Sequence, residues 1–485
     1  MATQLLLSFP PSAEVSDAEY DKTIRSFCVS VKKLSLSGLV GSNTSGQGNH
    51  LEILDPAIHS VAYLHVLLAC HQISQKSDKS SFQPGGESWE KALIFFEKFD
   101  PVQVRYAGRE FTKLVEIIAV IASTPQKSLL AIQPLKNALL RLDPSGSTLT
   151  ATHTLFVRTC LKANACRAAL PVLERSIFHI PTSVDRTYHK RAQILPCVKD
   201  QSSSTFITDS SGLAGKITHQ TYLEYYLYGA MIYMIRKEWD DALRFLHIVI
   251  AAPVTNTVSK IMVEAYKKWI LVRLLAKGQV SALPRGIPPF AVKIYKSLCR
   301  PYEALADIFR DGTLQRLEAE MSVGIDLWDR DGNAHLVYQL SAAYRRFSIL
   351  KLEKAFSAIS IPEIANRVSY ECSSAQELEE YIASLIADGQ LNARLVQAAD
   401  PSGPSVLRFG KDNAGMDMSA EAQLSASLIK EKNRIKAMID NVARIDVRLE
   451  LGEDYMEGLV KAQRRASAKN RNATTFDEDI MATSR

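Results

Sequence analysis

The sequence contains no Cys-x-x-Cys, no His-x-His, no His-Glu-x-x-His and no Gly-x-Ser-x-Gly. Zinc hydrolysis needs clustered His ligands, an open coordination position and a base such as Glu, and none of that spacing is present. His59, His65 and His71 are evenly spaced by six, which rotates each onto a different face of a helix. They are therefore read as packed or solvated. Gly215-Lys216-Ile217 echoes the end of a phosphate loop, but Ser210 stands where the first Gly belongs and Ile217 where the hydroxyl residue belongs. The chain is expected to be non-enzymatic, with no catalytic residues, no cofactor and no metal.

Other absences narrow the compartment. The seven cysteines (Cys28, Cys70, Cys160, Cys166, Cys197, Cys299 and Cys372) are scattered and odd in number, which suits reduced, mostly buried thiols in cytoplasm or nucleus. No apolar run approaches bilayer length, so no membrane partner is expected. Leu5-Leu6-Leu7 is too short for a signal-peptide core and lacks a basic flank. Without a secretory signal, the sequons at Asn43 and Asn472 are chance matches. Strand-like alternation is scarce. What remains, with 46% hydrophobic and 23% charged residues over 485 positions, is a folding chain too long for one core and dominated by helices. The net charge of +6 is too mild to imply a polyanionic partner.

A weak helical pattern, Ile24, Phe27, Val31 and Leu34, precedes a Ser/Gly tract from Ser35 to Gly48 that composition assigns to a flexible loop. Helical stripes then recur, including Leu54, Ile58, Val61, Ala62 and Leu68. Asp100-Pro101 opens one helix, and breaks fall at Pro125, Pro144-Ser145-Gly146, Asn164 and Pro181. This predicts an α-solenoid of diverged tetratricopeptide-like pairs. The Ser/Thr-rich stretch from Gln201 to Gly215 is expected to be an exposed, protease-sensitive loop. Tyr222, Tyr225, Tyr226 and Gly229 belong to one helix, Trp239, Ala242, Leu243 and Leu246 to the next, and Pro253 closes the pair. The aromatics recur at helical spacing and are assigned to the solenoid core rather than to a peptide groove.

From Ile349 to Phe409 the pattern changes to three short helices and a two-stranded ribbon. Ile349, Leu352 and Phe356 mark the first helix. Ser360-Ile361-Pro362-Glu363 and Ser374-Ala375-Gln376-Glu377 read as capping boxes that open the second and third. Leu378, Tyr381, Ile382, Leu385 and Ile386 form the third helix's apolar stripe, ended by Asp388-Gly389. Leu391, Ala393 and Leu395 alternate as a strand; Asp400 to Pro404 is a turn; Val406, Leu407 and Phe409 lie on the return strand. That is the winged-helix plan. Winged helices that bind DNA lay the third helix in the major groove, but here no Lys or Arg occurs between Val368 and Ala393, while Glu371, Glu377, Glu379, Glu380 and Asp388 are acidic. Such a helix repels phosphates, so the module is read as protein-binding.

After a polar linker to Met418, a long helix carries Leu428, Ile435, Met438, Val442, Ile445 and Leu449 in a seven-residue frame broken by Glu431. A stripe of this kind on a charged helix needs other helices to cover it. Lys461, Arg464, Arg465, Lys469 and Arg471 make a basic tail, taken as a solvated, disordered segment with nuclear import as its alternative.

Ser360-Ile361-x-x-Ile364-Ala365, Glu377-x-x-x-Tyr381-Ile382-x-x-x-Ile386-x-Asp388-Gly389-x-Leu391-x-Ala393 and Val406-Leu407-x-Phe409 resemble the closing half of a PCI domain. Tyr225 to Tyr233, Met262 to Val272 and the run from Ser341 to Arg367 are similar to the COP9 signalosome subunit 3 family. The resemblance covers residues 218 to 410 well and the N-terminal repeats loosely; the 201–215 stretch and the N-terminal segment depart from it. It implies four segments: helical repeats (1–217), the helical half of the PCI domain (218–340), its winged-helix half (341–410), and a linker, bundle helix and tail (411–485). It further implies a scaffold subunit supporting cullin deneddylation, with signalosome subunits 1 and 8 as neighbours and cullin–RING ligases as indirect partners. The ribbon residues Leu391, Ala393, Leu395, Val406, Leu407 and Phe409 and the stripe of the C-terminal helix are the expected subunit interfaces, since an open strand edge can pair with a neighbour. The alternatives are a proteasome-lid scaffold and, in a different class, a nucleic-acid-binding winged-helix adaptor; nucleic acid is not the expected partner.

Overall fold

The computed structural model describes the chain except for residues 1, 12–14, 42–49, 77–81, 123–126, 182–194, 199–200, 255–256, 281–282, 285, 369–374, 392, 397–404, 411–417, 451–454 and 466–485. The sequons, Glu371, Cys372, Ser374, the Asp400–Pro404 turn and most of the basic tail lie outside the described residues. Two compact units form, Met1–Thr221 with Lys432–Arg485, and Tyr222–Glu431.

The first unit is built from α1 (Asp17–Lys32), α2 (Ser60–Lys76), α3 (Glu87–Lys98), α4 (Gly108–Ile121), α5 (Ser128–Leu142), α6 (Ala151–Lys162) and α7 (Cys166–Leu173), with shorter turns between, numbering only helices of eight or more residues. Consecutive helices pack in pairs. The sequence signals hold locally. Asp100 caps a short helix through the Val102 N–H, with Pro101 in the first turn. Asn164 takes a left-handed conformation at the break after α6. Val61 to Leu67 are almost wholly buried, and Phe95, Phe96, Phe99 and Phe111 stack as one aromatic cluster.

Two expectations fail here. Ser35 begins the supposed loop but caps a short helix, Leu36–Val40, with Leu39 buried; hydroxyls that suit loops also suit helix starts. The 201–215 stretch is mostly covered, with only Asp209 and Ser210 exposed. Ser203–Phe206 is helical, and Phe206, Ile207, Leu213 and Ala214 are buried. Ser203 Oγ lies 2.8 Å from both Ser147 Oγ and Thr148 Oγ1. The Thr112 hydroxyl donates to the Gly212 carbonyl, and Ala151 N–H to the Ala214 carbonyl. The Arg105 guanidinium lies 3.9 Å from the Phe206 ring centre and donates to the Pro196 and Val198 carbonyls. Gly108 lets this strap approach α4: a Cβ there would run into the Ser211 carbonyl and come within 2.8 Å of Leu213 N. The hydroxyls that resemble a solvated loop are hydrogen-bonded internally, which removes the cost of burying them.

A buried histidine gives the first unit a pH signature. His153 accepts the Thr150 N–H at Nδ1 (3.1 Å) and is buried in the first turn of α6. Burial pushes its pKa down to about 4 from the ordinary value of 6.5. The unfolded chain therefore takes up the proton first as pH falls. The His153 contribution to stability is flat above about 6.5 and falls by roughly 3 kcal/mol as pH drops towards 4. The difference between wild-type and His153→Asn unfolding curves, measured from pH 7 to pH 4, is expected to show this slope. Parallel curves would remove His153 as its source.

The second unit comprises α8 (His219–Ile235), which begins just before it, α9 (Trp239–Ile250), α10 (Lys260–Lys277), α11 (Pro289–Leu298), α12 (Arg300–Asp311), α13 (Leu314–Val323), α14 (Ala334–Leu352), β1 (Ala358–Ser360), α15 (Ile361–Val368), α16 (Ala375–Ala387), β2 (Ala393–Val396) and β3 (Val406–Phe409). The long helix α17 (Met418–Glu450) follows. Tyr225 and Tyr233 are buried and lean on Phe245 of α9, the core role expected of them. Tyr266 stacks between Trp269 and Tyr295. The fold is an α-solenoid capped by a winged helix.

Candidate assembly surfaces

α14 belongs to both parts of the second unit. Val337 and Leu340 are buried on its solenoid side, while Ile349 belongs to the winged-helix core. Gly278, left-handed at the end of α10, leaves room for the Phe347 ring. The Arg346 guanidinium donates to the Leu275 carbonyl and to Gln390 Oε1, and burial lowers its pKa. Tyr344 donates to the Gly312 carbonyl. The winged helix is thereby held against α10 and the α12–α13 turn.

Its core contains Ile359, Ile361, Ile364, Val368, Leu378, Ile382, Leu385, Leu391, Leu407 and Phe409. The sheet corrects the expected two-stranded ribbon. Three antiparallel strands run in the order β1-β3-β2. The second helix opens at Ile361 as expected, but Ser360 before it is the last residue of an added strand, Ala358–Ser360, and the expected capping box does not carry the start: the Ile361 N–H goes to the Ser405 carbonyl, and Glu363 pairs with Arg367 at 2.7 Å. A three-residue strand is too short to show alternation. Phe356, expected in the first helix, lies beyond the end of α14.

This order decides which backbone is free. Phe409 N–H bonds to the Ser357 carbonyl, and the Ser405 carbonyl accepts from Ile361. Odd positions of β3 therefore turn towards β1, and Val406 and Arg408 turn towards β2. Their partners Val396 and Arg394 turn inward, so Ala393 and Leu395 direct their amides and carbonyls to the sheet's outer edge. Leu407 and Phe409 are buried and Val406 is half-buried, and all three sit on a central strand paired on both sides. They cannot form an open edge, so Val406, Leu407 and Phe409 are not ribbon residues that could pair with a neighbouring strand, contrary to expectation. Leu391 is buried just before β2 and is likewise core.

The sheet's outer face carries Arg394 opposite Arg408, both exposed, with Val396 opposite Val406. Like charges directly across a strand pair are unfavourable by themselves. Sequence reading passed over the two arginines, although they hold the polar positions of each strand's alternation. The third helix α16 exposes Glu377 and Glu380, and Ser405 donates to Glu379 at 2.9 Å.

On α17 the residues Leu428, Ile435, Met438, Val442, Ile445 and Leu449 are 40% to 62% exposed. Leu428, Ile435, Val442 and Leu449 fall seven apart, with Met438 and Ile445 three residues after two of them, the spacing of a coiled-coil seam. Leu424, Ile429, Ile439 and Val447 are exposed beside it. Lys430 pairs with Asp241 at 3.0 Å. Lys461, Arg464 and Arg465 are exposed and helical.

Among the described residues no group of three or more His, Cys, Asp or Glu side chains could hold a metal ion, and no helix is long and apolar enough to cross a membrane. His59 contacts the Phe9 carbonyl, His65 is buried with its pKa lowered by burial, and His71 lies edge-on to Phe82. The six described cysteines are free and buried.

The family model described as COP9 signalosome complex subunit 3, N-terminal helical repeats, matches residues 23–290, and the PCI domain model matches residues 324–400. A COP9 signalosome complex subunit 3 of Emericella nidulans is 33% identical over 98% of this chain and 97% of its own length. That of Arabidopsis thaliana is 28% identical over 78% and 77%, and that of Drosophila melanogaster 26% over 74% and 76%.

Proposed function

Because the chain belongs to the COP9 signalosome subunit 3 family, we propose that it is a non-catalytic scaffold subunit of that complex, supporting cullin deneddylation through contacts with other subunits. The observation that carries this reading is a pair of joining surfaces: the β2 edge at Ala393 and Leu395, which no other described strand pairs with, and the exposed apolar seam of α17. Both need a protein neighbour, and neither is furnished for chemistry. Subunits 1 and 8 are the proposed neighbours, and cullin–RING ligases are reached only through the assembly. The proposed location is cytoplasm and nucleus, and α16, without a single Lys or Arg, supports a protein partner over nucleic acid.

Strand addition at β2 supplies one main-chain hydrogen bond per outward group, each worth about 1 kcal/mol net. Ala393→Pro removes an outward N–H at the first residue of the strand, a position that tolerates proline. Recovery of co-expressed subunits 1 and 8 with this variant is expected to fall about tenfold, with helix content and unfolding midpoint unchanged. Arg394→Pro removes an N–H directed at β3 and should instead unfold the winged helix. Full recovery with Ala393→Pro would show that β2 is not a joint.

A further inference from the structure

The second unit contains a pocket of about 220 Å³ that the assembly surfaces do not use. Met231, Met234 and Ile235 from the end of α8 and Leu336 from the first turn of α14 form its apolar walls. Lys268 of α10 reaches it from below, and Lys237 and His335 stand exposed at its rim. Among the described lining residues none is acidic. The nearby carboxylates are already committed: Asp331 accepts from Lys267 and Tyr302, and Glu264 from Lys267.

Lys268 is 7% exposed and donates to Asn333 Oδ1 at 2.7 Å, with Glu264 Oε2 more distant at 3.8 Å. A buried ammonium held by one close neutral acceptor and one loosely paired carboxylate is only partly compensated, and burial outweighs Glu264 in lowering its pKa. An anion entering above it relieves that cost. The volume lies below the ~300 Å³ at which pockets take whole small molecules, so it suits one apolar side chain rather than a cofactor.

We propose that this pocket anchors a peptide segment of a protein partner, one apolar side chain entering between Met231, Met234 and Leu336 while an adjacent acidic side chain faces Lys237, Lys268 and His335. Charge complementarity selects the occupant: apolar walls, with Lys237, Lys268 and His335 as the only ionisable side chains among the described lining residues, fit a Leu-Glu pair better than a basic or uncharged one.

The test uses the full chain with ¹³C-methyl methionine, in which Met231 and Met234 report occupancy directly. The probe is the capped peptide acetyl-Gly-Leu-Glu-Gly-amide, compared with peptides carrying Gln for Glu or Ser for Leu. Saturable shifts of the Met231 and Met234 methyls are expected with the first, and binding weaker by about tenfold (~1.4 kcal/mol) with each of the others. Lys237→Glu combined with His335→Glu changes only exposed residues, so folding is kept; it should weaken the Leu-Glu peptide by a similar factor. Methyls unmoved at millimolar peptide, or equal shifts with the Gln peptide, would overturn the proposal. Shifts with free hexanoate but none with the capped peptide would overturn the peptide as occupant.

Discussion

Deletion of residues 418–460 is expected to abolish recovery with partner subunits while moving the unfolding midpoint of the remaining chain by no more than about 2 °C. The asymmetry follows from exposure. The six seam residues of α17 are all at least 40% exposed, so their unburied surface stabilises nothing within this chain. Covered by neighbouring helices, they contribute roughly 1 kcal/mol apiece, about 6 kcal/mol before the cost of ordering. Within the second unit the deletion removes the Lys430–Asp241 ion pair, which has a half-exposed lysine and is worth about 0–1 kcal/mol. Asp241 keeps its bond from Arg244. Co-purification from cells expressing the truncated chain, beside a thermal unfolding curve, gives both readouts. Retained co-purification would mean that the seam is not a joint. A large fall in midpoint would mean that α17 belongs to the chain's own core.

The second large effect concerns the support beneath the winged helix. Asn333 is wholly buried at the start of α14; its Oδ1 accepts from Lys268 and its Nδ2 donates to the Tyr302 hydroxyl. Tyr302 donates to Asp331, which also takes Lys267 at 2.9 Å. This network fastens α10, α12 and α14 at one point, opposite in direction to the Arg346 contacts that hold the other end of α14. Asn333→Leu removes the close acceptor of the Lys268 ammonium, leaving it only Glu264 at 3.8 Å, and the donor to the Tyr302 oxygen, and is expected to cost about 2–4 kcal/mol. Lys268→Met added to it removes the stranded charge and should recover most of the loss, giving a positive coupling in a double-mutant cycle read by urea unfolding. Additive losses would show that the two side chains do not act as a pair.

Helix positions, their stops and the aromatic core around Tyr225 and Phe245 were legible because each rests on spacing within one segment. The polarity of α16 was legible for the same reason. The strand β1 was not: Ala358-Ile359-Ser360 has no internal pattern, and its identity depends on Val406 to Arg408 lying beside it. The 201–215 strap misled through composition. Its serines and threonines suggested solvent, whereas Phe206, Ile207 and Leu213 were the available signal that some of it is buried.

By itself the sequence determined the period of each helix, the break between solenoid and winged helix, the family and the seam of α17, all of which follow from local side-chain spacing. Tertiary structure alone decided which strand is central, which amides reach the sheet edge, that the hydroxyl-rich strap is internal, and that Lys237, Lys268 and His335 share one pocket. Those outcomes depend on which distant segments meet, and hydrogen-bond satisfaction between them is invisible to any one-segment pattern.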